Sequence, residues 1–402
     1  MQSNSEVIEH GKKVLIGNYG RLPVAMVRGS GSRLWDADGK QYIDLFAGFG
    51  GAILGHCHPA LVEAATRQAH TLWHVGNTFW TLPQIDVADR FNRFAFPGQT
   101  FFCQSGAEAN EAACKLARLR GQTGGATRHK IITLHKSFHG RTLAMLAATG
   151  NSKYREGFKP DVQGFVQVDG GDFDALAAAV DDQTCGILME PIQGEGGINF
   201  YPPDYAAKVR QLCDEKGLTL IFDEVWTGCG RTGKWFGHQH FVDASGQGVV
   251  PDIITMGKAV GGGLPVGAMH ARPDMAALLT PGKHGSTLGA NAICMAVTKA
   301  IFDTIESDNL LEHARTLGEY TMKRIESEPR LADKVASVRG RGLFIGIELK
   351  EAPKGLVEKG LEKGVVANVT ADRVVRLAPP INISQADLDE GLERLFVAML
   401  AV

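Results

Sequence analysis

None of the apolar runs in this 402-residue chain approaches the roughly 18 residues needed to cross a bilayer, which argues against a membrane-spanning helix. The start, Met1 to Lys13, is polar and of mixed charge. It has neither the apolar core of a secretion signal nor the Arg-rich, acid-poor character of a transit peptide. Neither sign of charge dominates: 42 Lys and Arg face 44 Asp and Glu, a net charge of −2. That balance points away from nucleic-acid and membrane partners, so small anions must be held by local groups. Paired cysteines are missing too. The 7 cysteines are scattered and form no Cys-x-x-Cys, which predicts reduced thiols in a cytoplasmic protein. His56-Cys57-His58 lacks further ligands at a coherent spacing and is read as a turn, so no metal is expected. The chain also lacks internal repeats and low-complexity linkers.

What is present is an ordinary folding composition, 44% apolar and 21% charged, in a chain long enough for two domains. The middle alternates short apolar runs with amphipathic stretches. Strands are predicted at Phe101–Gln104, Lys130–Leu134, Phe165–Val168, Gly186–Met189, Leu218–Phe222, Asp252–Thr255 and Val266–His270. Helices are predicted between them at Ala107–Arg120, Phe173–Val180 and Pro203–Lys216. This is the pattern of an α/β fold with a mostly parallel, doubly wound sheet, whose ligands sit at the carboxyl ends of the strands. The tail reads as a helix at Leu310–Ser327, strands at Phe344–Leu349, Val365–Ala367 and Val374–Leu377, and a last helix at Gln385–Leu400. Near the start, Trp35–Asp44 reads as a hairpin turning at Asp38-Gly39. Both termini are therefore assigned to a smaller α+β domain, residues 1–54 and 305–402, beside a large domain of residues 55–304.

Three constellations carry chemistry. An apolar strand ends in Asp223-Glu224-Val225. Two acids at a strand end are often only solvated, yet this is also where a ligand would meet a carboxylate. The following Gly228-x-Gly230-x-x-Gly233 matches a dinucleotide-binding pattern, but Lys234–His240 has no helical apolar period, and that fingerprint must open a helix. Next, Lys258 follows another strand and precedes Gly261-Gly262-Gly263. Most lysines are solvated; one confined beside a glycine turn is a candidate for desolvation, which exposes the amine as a nucleophile toward carbonyls. Lastly, Ser105-Gly106-Ala107 turns a strand into a helix with early acids and late bases, a start whose amides suit a phosphate.

These elements occur in a familiar order. Ser105-Gly-Ala-Glu-Ala-Asn110, Phe138-His-Gly-Arg-Thr142, Glu190-Pro-Ile-Gln-Gly-Glu-Gly-Gly197, Phe222-Asp-Glu-Val225 with Thr227–Gly233, Lys258 with its glycines, and His284-Gly-Ser-Thr287 follow one another. From about Leu22 to the end the chain resembles the class III (subgroup II) aminotransferases of pyridoxal-5′-phosphate fold type I. It is most similar to the acetylornithine enzymes among them. The resemblance implies that Lys258 bonds covalently to the cofactor and then moves the proton between substrate carbon and cofactor C4′. Asp223 would pair with the pyridine nitrogen, so that the ring can accept carbanion charge. Phe138 and Val225 would sandwich the ring, while Ser105 and the Gly106 and Ala107 amides hold the phosphate. Thr287 would reach that phosphate from the other subunit of a homodimer with shared sites. Arg141 and Arg376 would bind the carboxylates of glutamate, matching each with a guanidinium fork. Glu195 would occupy Arg376 when the amino donor brings no carboxylate there. Ser286 and Phe49 would also meet the substrate.

Two positions leave the family pattern. Trp226 stands where glutamine usually contacts the cofactor's phenolic oxygen; the indole N–H is expected to donate to that oxygen instead. Phe49 stands where ornithine δ-aminotransferases carry tyrosine and acetylornithine enzymes more often carry an aliphatic residue. The reaction implied is N-acetylornithine plus 2-oxoglutarate giving N-acetylglutamate 5-semialdehyde plus glutamate, a step of arginine biosynthesis. The alternatives are another ω-aminotransferase, for 4-aminobutyrate, succinylornithine or a lysine-derived amine, an aminomutase or racemase of the same fold, and a binding protein without catalysis. Glu195 with Arg376 speaks against an isomerase, which needs no 2-oxoglutarate. Lys258, Asp223 and Arg376 together speak against loss of catalysis.

Overall fold

The computed structural model describes residues 2–402. The chain divides into two compact units, one running to Pro59 and resuming at His313–Val402, the other comprising Ala60–Glu312. The boundaries lie at Pro59 and Glu312 and not at residues 54 and 304. The second shift has a local cause: the helix Ala292–Ser307 runs past residue 304, and the next helix, Leu310–Glu326, begins before the boundary.

The larger unit is built on seven strands in the order Gln99–Cys103, Gly267–Ala271, Ile253–Met256, Thr219–Asp223, Thr184–Met189, Lys130–Leu134, Phe165–Val168. Gly267–Ala271 is antiparallel to both neighbours, and all the other pairs are parallel. Thr184–Met189, Thr219–Asp223 and Ile253–Met256 are buried at every position, as strands covered on both faces must be. Covering them is the helix Gly106–Gly121, whose buried face is mostly alanine: Ala109, Ala112, Ala113 and Ala117 beside Cys114 and Leu116. Small side chains let it lie close to the sheet, while alanine also favours the helix itself. A core of Ile131, Leu188, Ile221, Ile253 and Met269 joins the two layers. Because the strands Lys130–Leu134, Thr184–Met189, Thr219–Asp223 and Ile253–Met256 run in parallel, their carboxyl ends share one edge. There the chain continues into Phe138–Arg141, Glu190, Asp223-Glu224-Val225 and Lys258.

The smaller unit holds two four-stranded sheets. One pairs Met26–Ser30, Arg33–Asp36, Gln41–Asp44 and Val365–Val366 in that order. The predicted hairpin is its centre, with Leu34 opposite Tyr42 and Gly39 at φ +86° in the turn. Asp36 fixes that turn by accepting from the Asp38 and Lys40 amides (3.1 and 2.9 Å) and from the Tyr42 hydroxyl (2.6 Å). The other sheet runs Val335–Arg341, Phe344–Leu349, Val374–Leu377, Asn368–Thr370. The closing helix Gln385–Leu400 buries Leu388, Leu392, Leu395 and Phe396 at helical spacing. Some predicted ends move: Phe173–Val180 stops at Ala178, Pro203–Lys216 starts at Tyr205, and Val365–Ala367 shortens to two residues. Among the described residues no helix is long and apolar enough to cross a membrane.

Candidate active site

The strand end at Asp223 is organised around a buried carboxylate, 3% exposed. Its Oδ2 accepts from Asn110 Nδ2 (2.7 Å) and His139 Nδ1 (2.8 Å), and its Oδ1 from the Val225 amide (3.1 Å). A carboxylate can only accept, so the His139 proton lies on Nδ1. Asn110 is itself aimed by two further bonds, donating to the His139 carbonyl (2.8 Å) and accepting from Thr255 Oγ1 (2.6 Å). Three donors, each contributing about 1.5–3 kcal/mol to a charged acceptor, offset the desolvation of Asp223. The next residue, Glu224, does different work. It is buried and accepts from Thr227 Oγ1, the Gly237 and His238 amides (2.7 Å each) and His238 Nδ1 (2.8 Å). That knot pins the turn following Asp223, with the Gly228–Gly233 loop inside it. No helix opens at Gly233; the chain passes through turns to a short 3-10 segment, Gly237–His240.

Beside this end lies the start of the helix Gly106–Gly121. Ser105 caps it by accepting from the Glu108 amide (3.2 Å), and Glu108 reaches back to the Gln104 amide (2.9 Å). The helical amides of Gly106 and Ala107 have no acceptor within the helix and form an anion-binding end. A side chain at position 106 would stand 2.6 Å from Val225 Cγ2, so only glycine lets these segments touch. Gly140 plays the same part against Ala107, where a Cβ would lie 2.6 Å from the alanine methyl.

The neighbouring strand delivers Lys258. A Cβ on Gly257 would lie 3.0 Å from the Gly106 amide nitrogen and 3.3 Å from Val225 Cγ1, so the lysine segment packs directly on the other two. Lys258 sits at φ +45°, a left-handed conformation that costs a non-glycine residue about 1 kcal/mol or more. Its Nζ stands 4.1 Å from the centre of the Trp226 ring, and Trp226 is buried. The amine therefore meets the indole face.

Glu190, at the end of Thr184–Met189, binds two backbones at once, accepting from the Phe138 and Gly194 amides (3.0 Å each). This brings Phe138 and the loop carrying Glu195 together. Burial pushes the Glu190 carboxyl up to about 7; His139 opposes that shift and Asp223 adds to it. Phe138 is half-buried and meets Tyr154 edge-on (5.8 Å, 89°). Arg141 is exposed, with its guanidinium 3.8 Å over the Tyr154 ring. Ser286 Oγ lies 2.7 Å from the Gln104 carboxamide, just ahead of Ser105, and Asn77 bonds the Ser286 and Gly289 carbonyls (3.1 and 2.9 Å). Thr287 in that loop is exposed.

Two expected site residues belong to the smaller unit. Arg376 lies within the strand Val374–Leu377 and is 1% exposed, unlike an arginine at a solvent edge. Its Nε and Nη2 donate to Asn368 Oδ1 (3.2 and 2.9 Å), and it lies over the Phe46 ring at 5.2 Å. Phe49 is 53% exposed, at φ +59°, edge-on to Phe46 at 4.8 Å. In the same unit His56 bonds Asp44 through Nε2 (2.8 Å), which accounts for one member of the His-Cys-His triplet.

Asn110, His139 and Glu190 had no role assigned from the sequence, although all three stand in the motifs quoted above. Their partners lie far along the chain: 113 residues separate Asn110 from Asp223, and 84 separate His139 from it.

The gathered groups suit one kind of ligand. A glycine cradle at a helix start takes a phosphate, a buried carboxylate takes a protonated ring nitrogen, and the adjacent lysine takes an aldehyde. Pyridoxal 5′-phosphate carries all three, so the residues present fit that cofactor. On this α/β sheet, they define a pyridoxal-phosphate-dependent aminotransferase of fold type I. The chain belongs to the class-III aminotransferases, whose family model matches residues 16–399. It is 44% identical over 391 residues to the acetylornithine aminotransferase of Caldanaerobacter subterraneus subsp. tengcongensis, covering 97% of this chain and 98% of the relative. With the acetylornithine aminotransferase of Myxococcus xanthus it shares 42% identity, covering 96% of each chain. Among solved structures it is similar to the ornithine aminotransferase of Toxoplasma gondii, which holds pyridoxal phosphate at partial occupancy in its active site. That match has a TM-score of 0.92 and 30% identity and covers 100% of this chain and 95% of the other.

Proposed function

We propose that the protein moves the ω-amino group of N-acetylornithine to 2-oxoglutarate, forming N-acetylglutamate 5-semialdehyde and glutamate, as a cytoplasmic step of arginine biosynthesis. The observation that carries this reading is the 44% identity, over nearly full length, to a relative named for that donor. Bound pyridoxal phosphate supplies an electron sink for the carbanion left when a proton is removed beside the amine. Everything else falls to the chain. The Gly106 and Ala107 amides and Ser105 hold the phosphate. Asp223, its carboxylate fixed by Asn110, His139 and the Val225 amide, keeps a proton on the ring nitrogen. Val225 and Phe138 bound the ring on its two faces, and Glu190 holds Phe138 in place. Lys258 carries the cofactor and moves the substrate proton through Nζ. Arg141 and Arg376 take substrate carboxylates, Glu195 discriminates between the two amino donors, and Ser286 and Phe49 meet the substrate.

The working form is a homodimer in which Thr287 completes the phosphate site of the other subunit. An exposed apolar stretch of the larger unit supports this. Trp73, Phe79, Trp80 and Leu82 are 66, 65, 88 and 78% exposed, far more than an isolated surface tolerates comfortably. The Ser286–Gly289 loop is hydrogen-bonded to Asn77 inside that stretch.

A panel of amines assayed for glutamate formation from 2-oxoglutarate tests the substrate. N-acetylornithine is expected to show the highest kcat/KM. Ornithine is the rival to include, because the Toxoplasma structure named for it is so similar in fold. A higher value for ornithine or 4-aminobutyrate would reassign the donor.

A further inference from the structure

Trp226 leaves its family's pattern at a position where the structure gives it a definite contact. The ring is 5% exposed, and the Lys258 amine stands 4.1 Å from its centre. The Lys258 backbone lies at φ +45°, and the preceding Gly257 is packed against Gly106 and Val225, so tightly that a Cβ would press on both, which fixes where the side chain starts. An indole face is the negative side of the ring quadrupole, and it attracts an ammonium but not a neutral amine. Burial of the ring strengthens that preference, because water competes less.

We infer that Trp226 is a positioning residue that holds Lys258, whenever its amine is not bonded to the cofactor, as an ammonium over the indole face. The inference rests on the reading of Lys258 as the cofactor-binding lysine. Trp226 thus acts through its face on the lysine. A protonated lysine held in place is ready to return a proton. The same hold slows capture of fresh cofactor, because only the neutral amine attacks an aldehyde. The charged and titratable groups on the segments around Lys258 include Asp223 and Glu224, the buried Arg231 on the loop after Trp226, His238, Glu108 at the helix start, Glu190, His139 and Arg141. Asp223 and His139 bind each other, Glu224 is engaged by Thr227, Gly237 and His238, Glu108 by Gln104, and Glu190 by Phe138 and Gly194. Arg141 lies on Tyr154.

The test uses cofactor-free protein mixed with pyridoxal 5′-phosphate at a series of pH values. Lys258 Nζ adds to the aldehyde carbon, water leaves and a C=N bond forms, which absorbance follows in time. The rate rises with the fraction of neutral amine, so its midpoint reports the protonation of Lys258. Trp226→Leu and Trp226→Gln are expected to lower that midpoint by about one unit, speeding capture below it up to about tenfold. Trp226→Phe, with a weaker ring face, should fall between them and the parent. A packing role alone would reduce thermal stability and leave the midpoint unmoved. Identical midpoints in the parent and in any folded ringless variant overturn the inference. Lys258→Ala separates the two levels: if it still forms the band, the lysine itself is misassigned, whatever the Trp226 series shows.

Discussion

The residues proposed to hold the cofactor and those proposed to meet the substrate are secured very differently. Asp223 is buried under three donors, Gly106 is wedged against Val225, and Lys258 is held by a strained backbone and an indole face. By contrast, Arg141 and Phe49 are exposed, and Glu195 is half-buried. The difference teaches where the protein's specificity resides. The reaction type depends on groups that cannot move without breaking a hydrogen bond or creating a clash. On the roles proposed, the donor is chosen by side chains that a single substitution can change at little structural cost. Arg376 is the instructive exception, a substrate-side residue buried on its strand and fixed by Asn368 and Phe46. The carboxylate that it is proposed to bind is one of glutamate's, and glutamate is formed whichever ω-amine is the donor, so fixing it sacrifices no donor selectivity.

If the contrast holds, damage to the locked side should be the most severe. Asp223→Asn removes the charge and sets an amide against the Asn110 donor; kcat should fall about 10²–10³-fold with KM for the donor little changed. A loss confined to KM would move Asp223 to the substrate side. Next in size is Glu195→Ala. Single-turnover rates should shift the preference toward glutamate and away from the ω-amine by about tenfold, or ~1.4 kcal/mol. Equal losses with both donors would show that Glu195 does not discriminate. Smaller again is Phe49→Tyr, which adds one hydroxyl at an exposed position; it should favour ornithine over N-acetylornithine by about 2–10-fold, the range of one hydrogen bond. No change in that ratio would remove Phe49 from the donor pocket.

A prediction of a different kind, on stability and not on rate, concerns Glu190 and sharpens the comparison by testing the scaffold behind Phe138. Its pKa rises from 4.5 to about 7 on folding. Between those values the folded chain keeps a proton that the unfolded chain has released. The group's contribution to stability is therefore complete below about pH 4.5 and is lost as pH rises through about 7. Urea unfolding of the parent should thus lose ground relative to Glu190→Gln across that window. A pH-independent difference would mean that Glu190 is ionised throughout.

Much of the architecture was legible because its physics is local. Lys130–Leu134, Phe165–Val168, Phe344–Leu349, Val374–Leu377 and Gln385–Leu400 have the predicted limits, each an apolar pattern with polar borders. Met26–Ser30 and Val335–Arg341 gave no such signal, since Arg28, Gly29 and Ser30 in one and Arg339, Gly340 and Arg341 in the other interrupt the apolar pattern, and neither strand has a fully buried residue. In the site, Lys258 and Asp223 announce themselves by following buried strands. Asn110 and His139 do not, because a residue's partner is set by sheet order and not by its neighbours in sequence. Trp226 shows the same limit from another side: its identity marks a departure, and only the packing of adjacent strand ends turns its face toward Lys258.

The most direct test of the central claim is to locate the cofactor on the chain. The protein loaded with pyridoxal 5′-phosphate is reduced with borohydride, digested and sequenced by mass spectrometry. The account predicts that the pyridoxyl mass is carried by Lys258 alone and vanishes in Lys258→Ala. Stoichiometric modification of a different lysine, or an unmodified Lys258 in an enzyme active with N-acetylornithine, would contradict it.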